Sequence, residues 1–139
     1  LSDGYWVGLG SDHTDRVIEA SDVTVSKQMC AKPIAKRLWR YEDVVDHWDQ
    51  LVLKSTIIVD GNEEQYQEGP VTTMRDPQEL ISLYTSSGVL PLGTLMFCGT
   101  LAALGGVRPA DIFQASLIDQ KLNRKINFSY EALSLPPEE

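Results

Sequence analysis

Cysteine, histidine and positive charge are all scarce. The chain of 139 residues holds 2 cysteines, 2 histidines and 12 lysines and arginines, against 20 acidic residues. Cys30 and Cys98 are far apart, and a disulfide framework or zinc knuckle needs more thiols at closer spacing. Two reduced core cysteines in a cytoplasmic protein are expected instead. The net charge of -8 gives no footprint for nucleic acid and no polybasic patch for a membrane. Long-range steering of an anionic substrate is excluded too, so any anion site must be local. No apolar run approaches the roughly 20 residues that span a bilayer, and neither a membrane span nor a signal peptide is expected.

What is present is ordinary globular material. A chain of this length is about the commonest size for one domain, and 42% of it is apolar. A single domain over residues 1–139 is therefore expected, burying roughly two thirds of its unfolded surface. Leu1 stands where a methionine would start a protein, and a strand-like run begins three residues later. This leads to the expectation of a piece of a longer polypeptide.

Chemistry concentrates in one loop, Gly10-Ser11-Asp12-His13-Thr14-Asp15-Arg16, which follows the apolar run Tyr5-Trp6-Val7-Gly8-Leu9. Carboxylates, an imidazole, a hydroxyl and a guanidinium at the end of a buried strand are costly to desolvate unless something binds them. A divalent cation and an anionic substrate suit them. The alternative is a hydrogen-bonded turn in which Asp12 and Asp15 cap the backbone.

Elsewhere the pattern is mostly β. Asp22–Ser26 alternates as a short strand, and Lys27–Pro33 looks irregular. Val44, Val45, Trp48, Leu51 and Val52 recur at helical spacing, predicting a helix over Tyr41–Leu53. Lys54–Asp60 and Glu63–Glu68 flank the turn pair Asp60-Gly61, as in a hairpin. Asp76 as N-cap and Pro77 at the first position open a second helix, with Leu80, Ile81 and Tyr84 on its apolar face and Gly88 at its end. Thr94–Cys98 reads as an apolar strand. Phe113–Ile118 and Lys125–Tyr130 read as a terminal hairpin, with a frayed Pro-Pro-Glu-Glu tail after it. The fold class expected is mainly β (α+β), with two short helices packed on the sheet.

Several motifs then fall in order. Ser11-Asp12-His13-Thr14-Asp15-Arg16 is followed by Lys27, then by Gln67-Glu68-Gly69-Pro70-Val71-Thr72-Thr73-Met74, Leu90-Pro91-Leu92-Gly93 and Phe97-Cys98-Gly99-Thr100. This succession resembles the fumarylacetoacetate hydrolase superfamily, and most closely the C-terminal part of an uncharacterised bacterial branch of it. The resemblance implies a mixed β-roll, a homodimer and one divalent ion per subunit (Mg²⁺, or Ca²⁺ or Mn²⁺). It places Asp12 as metal ligand and Lys27 as the site lysine, with Lys32 second. It also gives a catalytic position to Thr100 and substrate contacts to Thr14, Arg16, Gln67 and Gly99. Leu101 stands where the family has proline, and His13 is larger than the residue usual in its slot. The Glu-x-Glu pair that completes the family's metal site is not upstream of Asp12 here. A further segment supplies it, another chain does, or the metal has been lost.

The resemblance implies a hydrolase or lyase acting on a small 2-oxo acid or 1,3-diketone through an enolate. Lys27 would add positive charge beside the developing oxyanion, and His13 is a candidate acid or base. Arg16 offers a fork for a carboxylate, or braces Asp12 or Asp15. His47 reads as packing or helix surface. Trp6, Trp39 and Trp48 read as core or interface. The alternative function is a non-catalytic fragment or degenerate subunit serving oligomerisation or small-molecule binding.

Overall fold

Residues 1–134 are described by a computed structural model. The tail expected to fray, Pro136 to Glu139, lies outside them. The architecture is mainly β, with two antiparallel sheets and three short α-helices. The larger sheet has the order β4-β3-β5-β6, formed by β3 (Leu51–Val59), β4 (Asn62–Pro70), β5 (Ile112–Asp119) and β6 (Arg124–Glu131). The smaller pairs β1 (Trp6–Val7) with β2 (Trp39–Arg40). That pairing continues irregularly toward the loop: Ala35 N donates to Leu9 O at 2.8 Å and Ser11 N to Pro33 O at 2.9 Å.

Both hairpins form as their sequences predict. Asp60 (φ 50°) and Gly61 (φ 76°) supply the two left-handed residues that a tight β3–β4 turn requires. Alternation along the strands buries Leu51, Ser55 and Ile57 on β3, Ala115, Leu117 and Asp119 on β5, and Ile126 on β6. The register puts Gln67, Ser55, Ala115 and Phe128 in one row across this inner face, and Ile57, Phe113 and Tyr130 in the next. Leu9, Ala35, Trp39, Val44 and Val71 close over the face and complete the core.

β4 carries one extra residue. Ser55 pairs with Gln67 and Thr56 with Gln65, so Tyr66 is bulged out of register. This turns Gln67 toward the core.

The helices differ from the sequence reading. α1 (Arg16–Glu19) and α2 (Val23–Gln28) form a small helical hairpin where a strand was expected over Asp22–Ser26. The carboxylates decide this: Asp15 caps the amides of Val17 and Ile18, both at 2.9 Å, and Asp22 caps Val25 at 2.9 Å. Capping outweighs the β-branched run. The helix expected over Tyr41–Leu53 is two 3-10 segments, Tyr41–Asp43 and Val45–Gln50, and Leu51 already belongs to β3. Adjacent Val44 and Val45 among three aspartates disfavour a regular helix, and His47 leaves helical geometry at φ -136°. α3 (Pro77–Tyr84) opens on Asp76 as expected but ends at Tyr84, short of Gly88, which turns the chain further on. Thr94–Cys98 forms no strand: although β4 and β6 are the outer strands of the larger sheet, this segment pairs with neither. Among the described residues no helix is long and apolar enough to cross a membrane.

Candidate functional site

The loop after β1 lies against the inner face at the β6 edge. Tyr130, the last inner-facing residue of that strand, holds it. Its hydroxyl bonds Ser11 Oγ at 2.8 Å and His13 Nδ1 at 3.0 Å, and the two rings meet edge to face. Thr14 is buried and donates to Asp12 O at 2.8 Å, which folds the loop back on itself.

Asp12 sits between two ammonium groups. Lys27 Nζ, in the last turn of α2, reaches Oδ2 at 2.6 Å, and Lys32 Nζ reaches Oδ1 at 3.0 Å. Lys32 also donates to the His13 carbonyl. Burial opposes ionisation of Asp12, but the two lysines outweigh it and hold the carboxyl below its ordinary value. Burial, then the charges of Lys32 and Arg16, holds the His13 imidazole below its usual value against the pull of Asp15. Burial pushes the Tyr130 phenol up, opposed by the Ser11 bond and reinforced by Tyr66 and Cys30 nearby. A neutral imidazole and a protonated phenol therefore share one hydrogen bond near neutral pH. Run in one direction, the Ser11–Tyr130–His13 chain leaves Nε2 of His13 a free acceptor. Run in the other, it leaves Nε2 a donor.

The later motifs meet at the opposite edge of the sheet. Gln67, buried, accepts from Ser55 Oγ at 2.8 Å and donates to Thr100 Oγ1 at 2.9 Å and Leu101 O at 2.6 Å. A Cβ placed on Gly69 would touch Leu101 at 3.4 Å, and one on Gly99 would touch Met74 at 3.4 Å. The Gln67–Met74 and Gly99–Leu101 segments therefore interlock through two glycines. β4 and β6 are three strand spacings apart, about 14 Å. The aromatic run Tyr66, Phe113, Tyr130 crosses that floor, with ring centroids 6.3 and 5.5 Å apart. Above it the Phe97 ring packs against Gly10, where a Cβ would come within 3.0 Å.

The chain matches the family described as "Protein of unknown function (DUF2848)" over residues 1–130. It belongs to DUF2848. No curated protein and no solved structure matches it. For this DUF2848 member the structure brings together Asp12, His13, Thr14 and Lys27, and separately Gln67, Gly99 and Thr100. Arg16 joins neither group. It pairs with Glu19 at 2.6 Å on an exposed face and braces neither Asp12 nor Asp15. Asp15 is used as the cap of α1, so the capped turn is realised there, while Asp12 is held by side chains.

A hard cation takes about six oxygen ligands, several of them carboxylate. Among the described residues no group of three histidine, cysteine, aspartate or glutamate side chains is placed to hold one. Asp12 is already neutralised by two lysines, so these residues do not by themselves fit Mg²⁺, Ca²⁺ or Mn²⁺.

Two residues of this DUF2848 site had little signal in the sequence. Tyr130 lies 119 residues from Ser11, and only the sheet register brings them together. Lys32 was second choice as site lysine, yet it touches both Asp12 and His13. His47, expected as packing or helix surface, is buried and bonds Asp119 through Nε2 at 3.0 Å. Trp39 is core, and Trp6 and Trp48 are partly buried. Both cysteines are free thiols, partly buried.

Proposed function

We propose that this chain carries part of an active site of the fumarylacetoacetate hydrolase type, on that superfamily's β-roll, acting as a hydrolase or lyase on a small 2-oxo acid or 1,3-diketone through an enolate. One observation carries the reading. Two ammonium groups on one carboxylate, beside a neutral imidazole, leave a local surplus of positive charge next to a proton acceptor. An oxo-acid offers what such a place attracts, a carboxylate and a carbonyl oxygen that becomes anionic. Lys27 and Lys32 meet those oxygens as Asp12 yields one of them. His13, oriented by Tyr130 and Ser11, takes or returns a proton through Nε2. Thr100 and Gly99, held by Gln67 at the opposite edge of the sheet, lie outside this site. No step passes through a cation.

A homodimer belongs to the same reading. A compact protein of 15.5 kDa exposes about 7,200 Å², whereas this chain exposes 9465 Å². The surplus is the size of a stable interface, and Val17, Val25, Leu92 and Leu95 are among the exposed apolar side chains.

The saturation of Asp12 favours a second reading, a subunit that binds a small anion without turning it over. Oxalate, a compact mimic of an enolate, separates these outcomes. Calorimetry should show binding that Lys27→Met or Lys32→Met weakens about tenfold, and the His13 ring signals should shift on binding. Oxalate binding with no cleavage of a panel of 2-oxo acids and 1,3-diketones, with Mg²⁺ present, selects the second reading. Absence of oxalate binding overturns both.

A further inference from the structure

Eight of the 12 basic side chains form ion pairs among the described residues. Three of the other four, Lys36, Arg37 and Lys125, line a single groove of about 560 Å³, and the fourth is Lys121. The groove runs between β6 and the extended segment that follows Lys32. No carboxylate lines it, although acidic residues outnumber basic ones 20 to 12 in this chain.

The strand contributes donors in a row. Lys125, Asn127 and Ser129 alternate along β6, so their side chains share one face. Asn127 uses Oδ1 to accept from Ser116 at 2.8 Å, which leaves its amide N–H groups toward solvent. Ile34, 52% exposed, adds an apolar side. The lining therefore consists of cations, neutral donors and a hydrophobic side, in a volume suited to a small molecule.

We propose that this groove binds a small organic oxyanion, a compound bearing phosphate or carboxylate groups on a short apolar body. Lys36, Arg37 and Lys125 take the charged end, Asn127 and Ser129 donate to it, and Ile34 covers the body. The site adjoins the Asp12 loop, since Pro33 O accepts from Ser11 N at 2.9 Å, but it uses none of that loop's charged side chains and does not depend on the reading given there. It supplies the local anion attraction that a net charge of -8 denies to the surface as a whole.

Calorimetry of the whole chain at low ionic strength, with pyrophosphate in one arm and citrate in the other, tests this and tells the phosphate source from the carboxylate source. One site per chain is expected for at least one probe, with affinity falling as salt is added. The triple variant Lys36→Ala/Arg37→Ala/Lys125→Ala should weaken binding at least about tenfold, and Lys121→Ala should leave it unchanged. Asn127→Asp sets a carboxylate in the donor row while keeping the bond to Ser116, so it reports on the groove even should the triple variant fail to fold. It too should weaken binding. Neither probe binding at millimolar concentration overturns the proposal. So does Asn127→Asp binding as the wild type does, or Lys121→Ala weakening binding as much as the triple variant.

Discussion

Replacing Asp119 by asparagine should destabilise the chain by about 2 to 3 kcal/mol. Asp119 is 0% exposed. Its Oδ1 accepts from His47 Nε2 at 3.0 Å and Leu122 N at 3.1 Å, and its Oδ2 accepts from Arg124 Nε at 3.0 Å. Arg124 in turn lies 4.6 Å from the Trp39 ring centroid, and its Nη2 is buried with no hydrogen-bond partner among the described residues. Asparagine keeps the volume and the Oδ1 bonds but turns an N–H₂ toward the Arg124 N–H. One charge-assisted bond is lost, and two donors face each other in a buried place. At roughly 3 to 4 °C per kcal/mol for a chain of this size, the melting temperature should fall about 6 to 12 °C. Urea unfolding followed by tryptophan fluorescence measures the difference. Adding Arg124→Met should restore about 1 to 2 kcal/mol, since methionine still covers Trp39 and the donor conflict is gone. The pH dependence has a definite sign. Burial opposes ionisation of Asp119, but the bonds from His47, Leu122 and Arg124 hold its carboxyl below the ordinary 3.8. The stability it contributes is therefore present above about pH 4 and lost as the pH falls through the folded-state value. An Asp119→Asn variant within about 0.5 kcal/mol of wild type, or no recovery on adding Arg124→Met, refutes the account.

Two further outcomes follow from the same geometry. Lys32→Met removes a positive charge beside His13, so the imidazole should titrate closer to its ordinary 6.5 in an NMR titration; an unmoved midpoint means that burial alone sets it. Gln67→Leu strands the Ser55 hydroxyl and frees Thr100 and Leu101, which should lower stability by about 2 kcal/mol and speed amide exchange at Leu104, whose N–H bonds Tyr66 O at 2.7 Å.

The hairpins and α3 were legible because local chemistry decides them. Asp60-Gly61 allows few other turns, and Asp76-Pro77 allows few other helix starts. The α1–α2 hairpin was misread because Val23, Thr24 and Val25 mimic a strand, while the deciding contact is one carboxylate on one amide. The loop chemistry was legible by type, and Asp12 and Lys27 do meet. What no local pattern revealed was Tyr130, since its contact with Ser11 and His13 depends on which face of β6 is inward. The separation of Thr100 from Asp12 was equally hidden, because it depends on strand order and not on motif order.

The extra residue in β4 divides that strand into two reading frames. Upstream of Tyr66 the odd-numbered side chains, Glu63 and Gln65, look outward; downstream of it the odd-numbered Gln67 and Gly69 look in. The Asp60-Gly61 turn counts residues from one end, and the bulge corrects the count before the core is reached. A single insertion between Asn62 and Gln65, left uncorrected, would carry the Gln67 amide out to water and bring the Glu68 carboxylate in beside Leu53. The length of this short segment is thus as firmly constrained as any side chain in it.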